Sequence, residues 1–252
     1  MALTTGGRMS VSIDPRVHRI RLGECRIPKR LQTLRLGQSD NESPAALHFV
    51  KHLSDHLVSE NRELADYPPM VGIGQGLAWV GAAGTGKTTE ATKTLLEVYY
   101  TYPELRDNWE TPVLFVAYAD YISMRKEQWS LQNKKGYEDR WSEIQQVIDG
   151  VRSVPVLLLD DVGKEHDGAS GFASKELDLL LRQRHRDALP TLMTTNVGFG
   201  DWNAVYNESM GSFVQEAFGL ITMTTEDRRV GSAGWKMTDR SERPKRVDRA
   251  RR

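Results

Sequence analysis

Eight residues, Gly81-Ala82-Ala83-Gly84-Thr85-Gly86-Lys87-Thr88, constrain this chain more than any other stretch. They fit G-x-x-x-x-G-K-[ST], in which small residues let a tight loop turn its backbone N–H groups inward around an anion. A helix starting near Lys87 adds its positive end at the same point. In this pattern Lys87 reaches the β- and γ-phosphates of a nucleotide and the Thr88 hydroxyl ligates Mg²⁺. The expected cradle is therefore Gly81, Ala82, Ala83, Gly84, Thr85, Gly86, Lys87, Thr88 and the adjoining Thr89, a solvent-facing anion site whose lysine bonds to the ligand and not to the core. The apolar run Leu77–Val80 precedes the loop, and Leu95, Leu96 and Val98 follow at helical spacing. Strand, loop and helix stand in the order the pattern requires.

Such a site needs a carboxylate at the end of a neighbouring strand. Val154–Leu159 is apolar and ends in Asp160-Asp161. Asp160 is the candidate for magnesium, directly or through water, and Asp161 the candidate general base or water-positioning group. Pro190-Thr191-Leu192-Met193-Thr194-Thr195-Asn196 is a further strand ending in an amide, which places Asn196 between the γ-phosphate and the attacking water. Asp160-Asp161-Val162-Gly163 also satisfies the D-x-x-G of GTPases. Its guanine-reading partner N-K-x-D is missing, because Asn133-Lys134-Lys135-Gly136 lacks the Asp and comes too early. ATP with Mg²⁺ is the expected ligand.

Val113–Tyr118 and Gly219–Thr225 add two more runs of strand length, and helical patterns lie around 45–61, 87–100, 120–132, 137–150 and 173–187. The alternation predicts an α/β fold, a parallel sheet with helices on both faces. Residues 1–24 read as a flexible basic arm, 25–238 as the ATPase core and 239–252 as a basic disordered tail. With 34 basic and 34 acidic side chains the net charge is zero, so any nucleic-acid contact must come from local patches. The single cysteine, Cys25, excludes an internal disulfide and a multi-cysteine zinc site and suits a reducing cytosol. No window approaches the ~18 apolar residues of a membrane span, and Met1–Ser10 lacks the apolar core of a secretory signal. A cytoplasmic location without a membrane partner is expected.

Between Trp129 and Trp141 lie Lys134, Lys135, Tyr137 and Arg140. Interleaved cations and aromatics suit single-stranded nucleic acid; the same pattern also describes an amphipathic helix with both tryptophans inward. His48, His52 and His56 share a helix face at i, i+4 and i+8 and read as a solvated face. Cys25, beside Arg26, reads as a structural thiol.

These pieces and their spacing resemble the AAA+ ATPases of the DnaC/DnaI helicase-loader and IstB group, from about Cys25 to Arg229. The residues that carry the resemblance are Gly76–Gly81 ahead of the loop, Leu159-Asp160-Asp161-Val162-Gly163-Lys164-Glu165, the Pro-Thr…Thr-Thr-Asn run with Arg184 before it, and Cys25-Arg26-Ile27-Pro28-Lys29-Arg30. The resemblance implies a P-loop core of the AAA+ type and an ATP-binding, Mg²⁺-dependent ATPase acting in DNA replication as a helicase-loader-like factor. It implies a homo-oligomer in ATP, single-stranded or duplex DNA, and a replicative helicase as partner, or a transposase if the chain follows the IstB branch. The group's trans-acting arginine has no counterpart, since Glu216 and Ala217 stand where Asp and Arg are found. Slow turnover without a partner follows, or a nucleotide-dependent scaffold. Arg228 and Arg229 read as a substitute sensor or as surface charges, with Arg184 the next arginine in line.

Overall fold

The apolar runs become five parallel strands, β1 (Gly76–Gly81), β2 (Val113–Ala117), β3 (Val156–Val162), β4 (Thr191–Thr195) and β5 (Phe218–Met223), in the order β2-β3-β4-β1-β5. The computed structural model of the chain describes residues 15–36, 43–57, 74–163 and 171–224. The basic tail, Arg228, Arg229, Lys164, Glu165 and the His56 side chain lie outside the described residues.

Alternation along each strand sends side chains to two cores. Leu77 and Trp79, Val113 and Phe115, and Val156 and Leu158 face one side. There they meet α1 (Pro15–Glu24), α2 (Pro44–Leu57), α3 (Lys87–Thr101) and α4 (Pro103–Asn108). Ala78 and Val80, Leu114 and Val116, and Leu157 and Leu159 face the other. That side is covered by α5 (Tyr118–Leu131), α6 (Glu138–Ser153), α7 (Phe172–Arg186), α8 (Trp202–Val205) and α9 (Glu208–Ala217). A parallel sheet buried on both faces needs such near-continuous apolar strands.

Several boundaries differ from the sequence reading. Residues 15–24, read as part of a flexible arm, form α1, because Leu22 and the following Cys25, Ile27 and Leu31 are buried in the α3 core. The Cys25 carbonyl then accepts from Phe115 N (2.9 Å), covering part of the free edge of β2. Tyr118 is not the end of a strand. It opens α5, with its ring buried and its hydroxyl donating to Ala173 O (2.5 Å). Strand β3 runs on through the Asp pair to Val162, with a register break between Leu159 and Val162.

Candidate nucleotide site

Strand order places β4 between the loop-bearing β1 and the Asp-bearing β3, so three strand ends converge at one edge of the sheet. In open parallel sheets, ligands bind outside these carboxyl ends. The loop leaves β1 at Gly81 and closes through Gly84 (φ 82°) and Gly86 (φ 95°), conformations that cost a side chain dearly. Gly86 is the N-cap of α3, so the first free N–H groups of that helix belong to the loop. Thr85 Oγ1 ties the loop back to Ala82 O at 3.0 Å.

Lys87 folds back on its own loop. It is only 5% exposed, and its ammonium donates to Gly81 O and Ala82 O, both at 2.8 Å. The loop's own carbonyls hold the charge at its mouth.

The alternation that builds the two cores also aims the polar residues. Asp160 and Thr194 continue the β3 and β4 rows that face α3, where Thr88 stands in the first turn. Thr88 Oγ1 donates to Asp160 Oδ1 at 2.8 Å, and Thr194 Oγ1 donates to the same oxygen at 2.7 Å. Thr194 Oγ1 in turn accepts from Asp161 N at 2.9 Å. Asp161 has φ 60°, and the extra residue that it contributes bulges the strand. Such bulges re-aim side chains next to functional sites, and Asp tolerates this left-handed region better than most residues. The bulge also returns Val162 to the core that holds Leu157 and Leu159.

Asn196 is exposed one residue past β4. The turn that presents it is fixed by Thr195, whose Oγ1 accepts from Val197 N at 3.0 Å. Thr194 was not singled out in the sequence. Its signal was a buried polar residue in line with Asp160 on an adjacent strand.

Three other expectations change. Arg184 is fully buried, donating to Thr191 Oγ1 (2.9 Å), Val151 O (3.1 Å), Val154 O (3.0 Å) and Pro190 O (2.9 Å). Burial lowers its pKa to about 9, still above neutrality, so it is a cation locked into the fold and unable to reach a neighbour. Ala217, at the position where an arginine was sought, is itself buried at the end of α9. Residues 129–141 are not one amphipathic helix with inward tryptophans. Asn133 (φ 68°) and Gly136 (φ 85°) turn the chain between α5 and α6, leaving Trp129 68% and Trp141 37% exposed. Arg140 is not a free cation either: it clamps the two helices through Glu127 (2.8 and 3.0 Å) and reaches Glu143 at 3.3 Å.

Cys25 is buried, and burial pushes its thiol up to about 12, although a backbone hydrogen bond from Val113 pulls the other way. The His48 and His52 rings lie 4.2 Å apart on α2, with His48 exposed. No helix among the described residues is long and apolar enough to cross a membrane.

No protein-family model matches the chain, and a search of curated proteins returned no match. Solved structures do match. The chain resembles a structure of the DnaC helicase loader at TM-score 0.54 with 21% identity, over 78% of this chain and 100% of that one. It resembles DnaI at TM-score 0.51 with 19% identity, over 81% of this chain and 94% of that one. A third match is the replication initiator DnaA bound to AMPPCP and single-stranded DNA, at TM-score 0.50 with 15% identity, over 78% of this chain and 50% of that one. The chain shares with these structures an α/β fold, a five-stranded parallel sheet flanked by helices with the phosphate-loop motif after β1.

Proposed function

We propose that this chain is an ATP-binding, Mg²⁺-dependent AAA+ ATPase that acts in DNA replication as a helicase-loader-like factor. The observation that carries the nucleotide half is the meeting of Thr88, Asp160 and Thr194 at the loop. A hydroxyl and a carboxylate 2.8 Å apart are hard oxygen donors of the kind that Mg²⁺ takes, with waters and phosphate oxygens filling its other positions. Thr88 and Asp160 would hold the ion, which when bound neutralises charge on the β- and γ-phosphate oxygens.

The chain's own residues do the rest. Inward N–H groups of residues 82–88 and the start of α3 hold the phosphates, and Lys87 adds its charge at the loop mouth. Asp161, turned out of the strand by its bulge, accepts the proton of the attacking water, and the Asn196 amide orients that water. Thr194 fixes Asp160 through its side chain and Asp161 through its backbone, so the carboxylates keep a common frame.

The replication role is supported by the fold shared with a helicase loader and with a DNA-bound replication initiator. In this reading the protein assembles as a homo-oligomer in ATP, in the cytoplasm, with DNA and a replicative helicase as partners. Ala217 supports a second reading, a nucleotide-dependent scaffold with weak hydrolysis, since a buried methyl offers a neighbouring γ-phosphate no charge.

Size-exclusion chromatography with a replicative helicase, in ATP and in ADP, tests the role. Co-elution with the helicase in one nucleotide state supports it. Co-elution with a transposase instead moves the chain to the IstB-like branch, and absence of both in either nucleotide contradicts the loader reading.

A further inference from the structure

We propose that the outer face of α7, with the hollow at each of its ends, is a docking surface for one amphipathic helix of a partner protein. This rests on the helicase-partner reading above and deepens it, because it assigns the contact to a surface and states the chemistry of what that surface receives.

Helix α7 carries apolar residues on two sides. Ala173, Leu177, Leu180 and Leu181 face the sheet core. Phe172, Leu179, Arg182 and Arg186 fall in a second stripe about four turns long, and Leu179 stands 65% exposed at its centre. By itself an exposed leucine means little; this one lies between two hollows.

At the N-terminal end of the stripe, Phe172 closes a cavity of about 260 Å³ with Trp129 and Trp141. Trp129 and Phe172 lie nearly parallel, with centroids 6.0 Å apart. The floor is already ordered: Arg125 holds Glu176 in a fork (2.8 and 3.0 Å) and donates to Gln128 Oε1 (2.6 Å), so that ion pair brings no net charge. Such a hollow takes one large apolar side chain. At the C-terminal end an open groove of about 770 Å³ runs between α6, α7 and α9, with Leu179 and Phe213 as its apolar wall and Arg152, Arg182 and Arg186 beside them. Phe172 and Leu179 stand at i and i+7 on α7, about 10 Å apart along its axis, the spacing at which a docked helix presents its own anchors.

Charge selects a protein. Asp178, Asp187 and Glu216 stand among the three arginines, so the groove has almost no net charge to draw in a polyanion. Its donors are directed nonetheless. Arg182 is engaged by Asp178 (2.7 Å) and Ser209 (3.0 Å) and lies over the Phe213 ring. Arg186 gives its Nε to Asp187 (3.0 Å), and no described carboxylate hydrogen-bonds the terminal nitrogens of Arg152 or Arg186. Those nitrogens fit isolated carboxylates on the partner. Tryptophan and arginine around an apolar centre are also the residues that dominate protein–protein contacts. The occupant is therefore a helix of about four turns, with a large apolar side chain for the aromatic hollow and a second apolar side chain about two turns further on to cover Leu179. Its carboxylates lie at the end that meets Arg152 and Arg186.

The test is surface plasmon resonance of a replicative helicase over the immobilised full chain, in ATP. Leu179→Asp and Trp129→Ala should each weaken binding roughly 10- to 100-fold, and Arg186→Glu roughly 10-fold. Trp129→Phe should keep most of the affinity. Trp129, Leu179 and Arg186 are exposed, so these variants keep the fold, which circular dichroism checks. Binding of a fluorescent ATP analogue should be parental in each, which separates a lost surface from a lost nucleotide site. Parental helicase affinity in Leu179→Asp or in Arg186→Glu overturns the surface and leaves the helicase reading standing. No helicase binding by the parent removes both. A changed oligomeric state in Leu179→Asp with helicase affinity intact gives the face to a second copy and also overturns the proposal.

Discussion

Thr88 and Asp160, 72 positions apart in sequence, share a hydrogen bond of 2.8 Å between the first turn of α3 and the end of β3. One contact thus joins the phosphate loop to the carboxylate strand, although the two strands that carry them are not neighbours in the sheet. Thr194 on the intervening β4 makes this possible, because its hydroxyl reaches the same carboxylate oxygen from the other side.

Thr194→Val keeps the shape but leaves the Asp161 N–H and one Asp160 oxygen without that hydroxyl. Stability should fall by about 1–3 kcal/mol, read by urea unfolding. The Mg²⁺ dependence of nucleotide binding should weaken as well. A wild-type magnesium titration would show that Thr194 only fills space.

The two carboxylates should separate by function. Asp161→Asn should bind ATP as the parent does and turn it over roughly 10²-fold more slowly or worse, because an amide cannot accept the proton. Asp160→Asn should lose magnesium dependence first. Steady-state turnover and magnesium titrations on both variants distinguish them; parental rates in both would place the working carboxylate elsewhere.

Arg184 should behave as a structural cation. Arg184→Ala removes the guanidinium donor to Val151 O, Val154 O and Thr191 Oγ1 and one of the two donors to Pro190 O, costing at least ~3 kcal/mol. Arg184→Lys should recover little, since one ammonium cannot span the fork. Thermal denaturation reads both; a stable Arg184→Ala variant with lowered, concentration-dependent ATPase would instead make it a trans-acting residue.

Cys25 should be inert in the folded chain and titrate only when exposed. Its thiol is neutral in both states below about pH 9, and between there and about 12 only the unfolded chain ionises. The folded state therefore loses stability as pH rises through that window. Urea midpoints at pH 8 and pH 10 should diverge less in Cys25→Ala than in the parent. Identical slopes would mean that the thiol is accessible, as would fast alkylation of the native protein.

The loop, the Asp pair and Asn196 were legible because each is a residue type at a fixed offset from an apolar run. What escaped depended on three dimensions or on a weaker signal. The β3 bulge is an interruption of alternation hidden inside Leu-Asp-Asp-Val, and Thr194 gains its role only beside Asp160. The burial of Arg184 reflects acceptors gathered from α6, from the start of β4 and from the residues beside each. Helix α9 could have been found. Asn207 caps Met210 N at 2.9 Å, and Met210, Phe213, Val214 and Ala217 follow at helical spacing. Trp129 could be read either way from the sequence, and in the structure it stands 68% exposed on α5, ahead of the turn at Asn133 and Gly136.

The central claim is that the loop ending in Lys87 and Thr88 binds ATP with Mg²⁺, and titration of a fluorescent ATP analogue against parent and Lys87→Ala tests it most directly. Lys87 donates to the loop carbonyls Gly81 O and Ala82 O, and circular dichroism of the variant checks that the fold survives its removal. The account predicts saturable binding by the parent that EDTA weakens, and no measurable binding by a Lys87→Ala variant with parental circular dichroism. Equal affinity in a folded Lys87→Ala variant would contradict it.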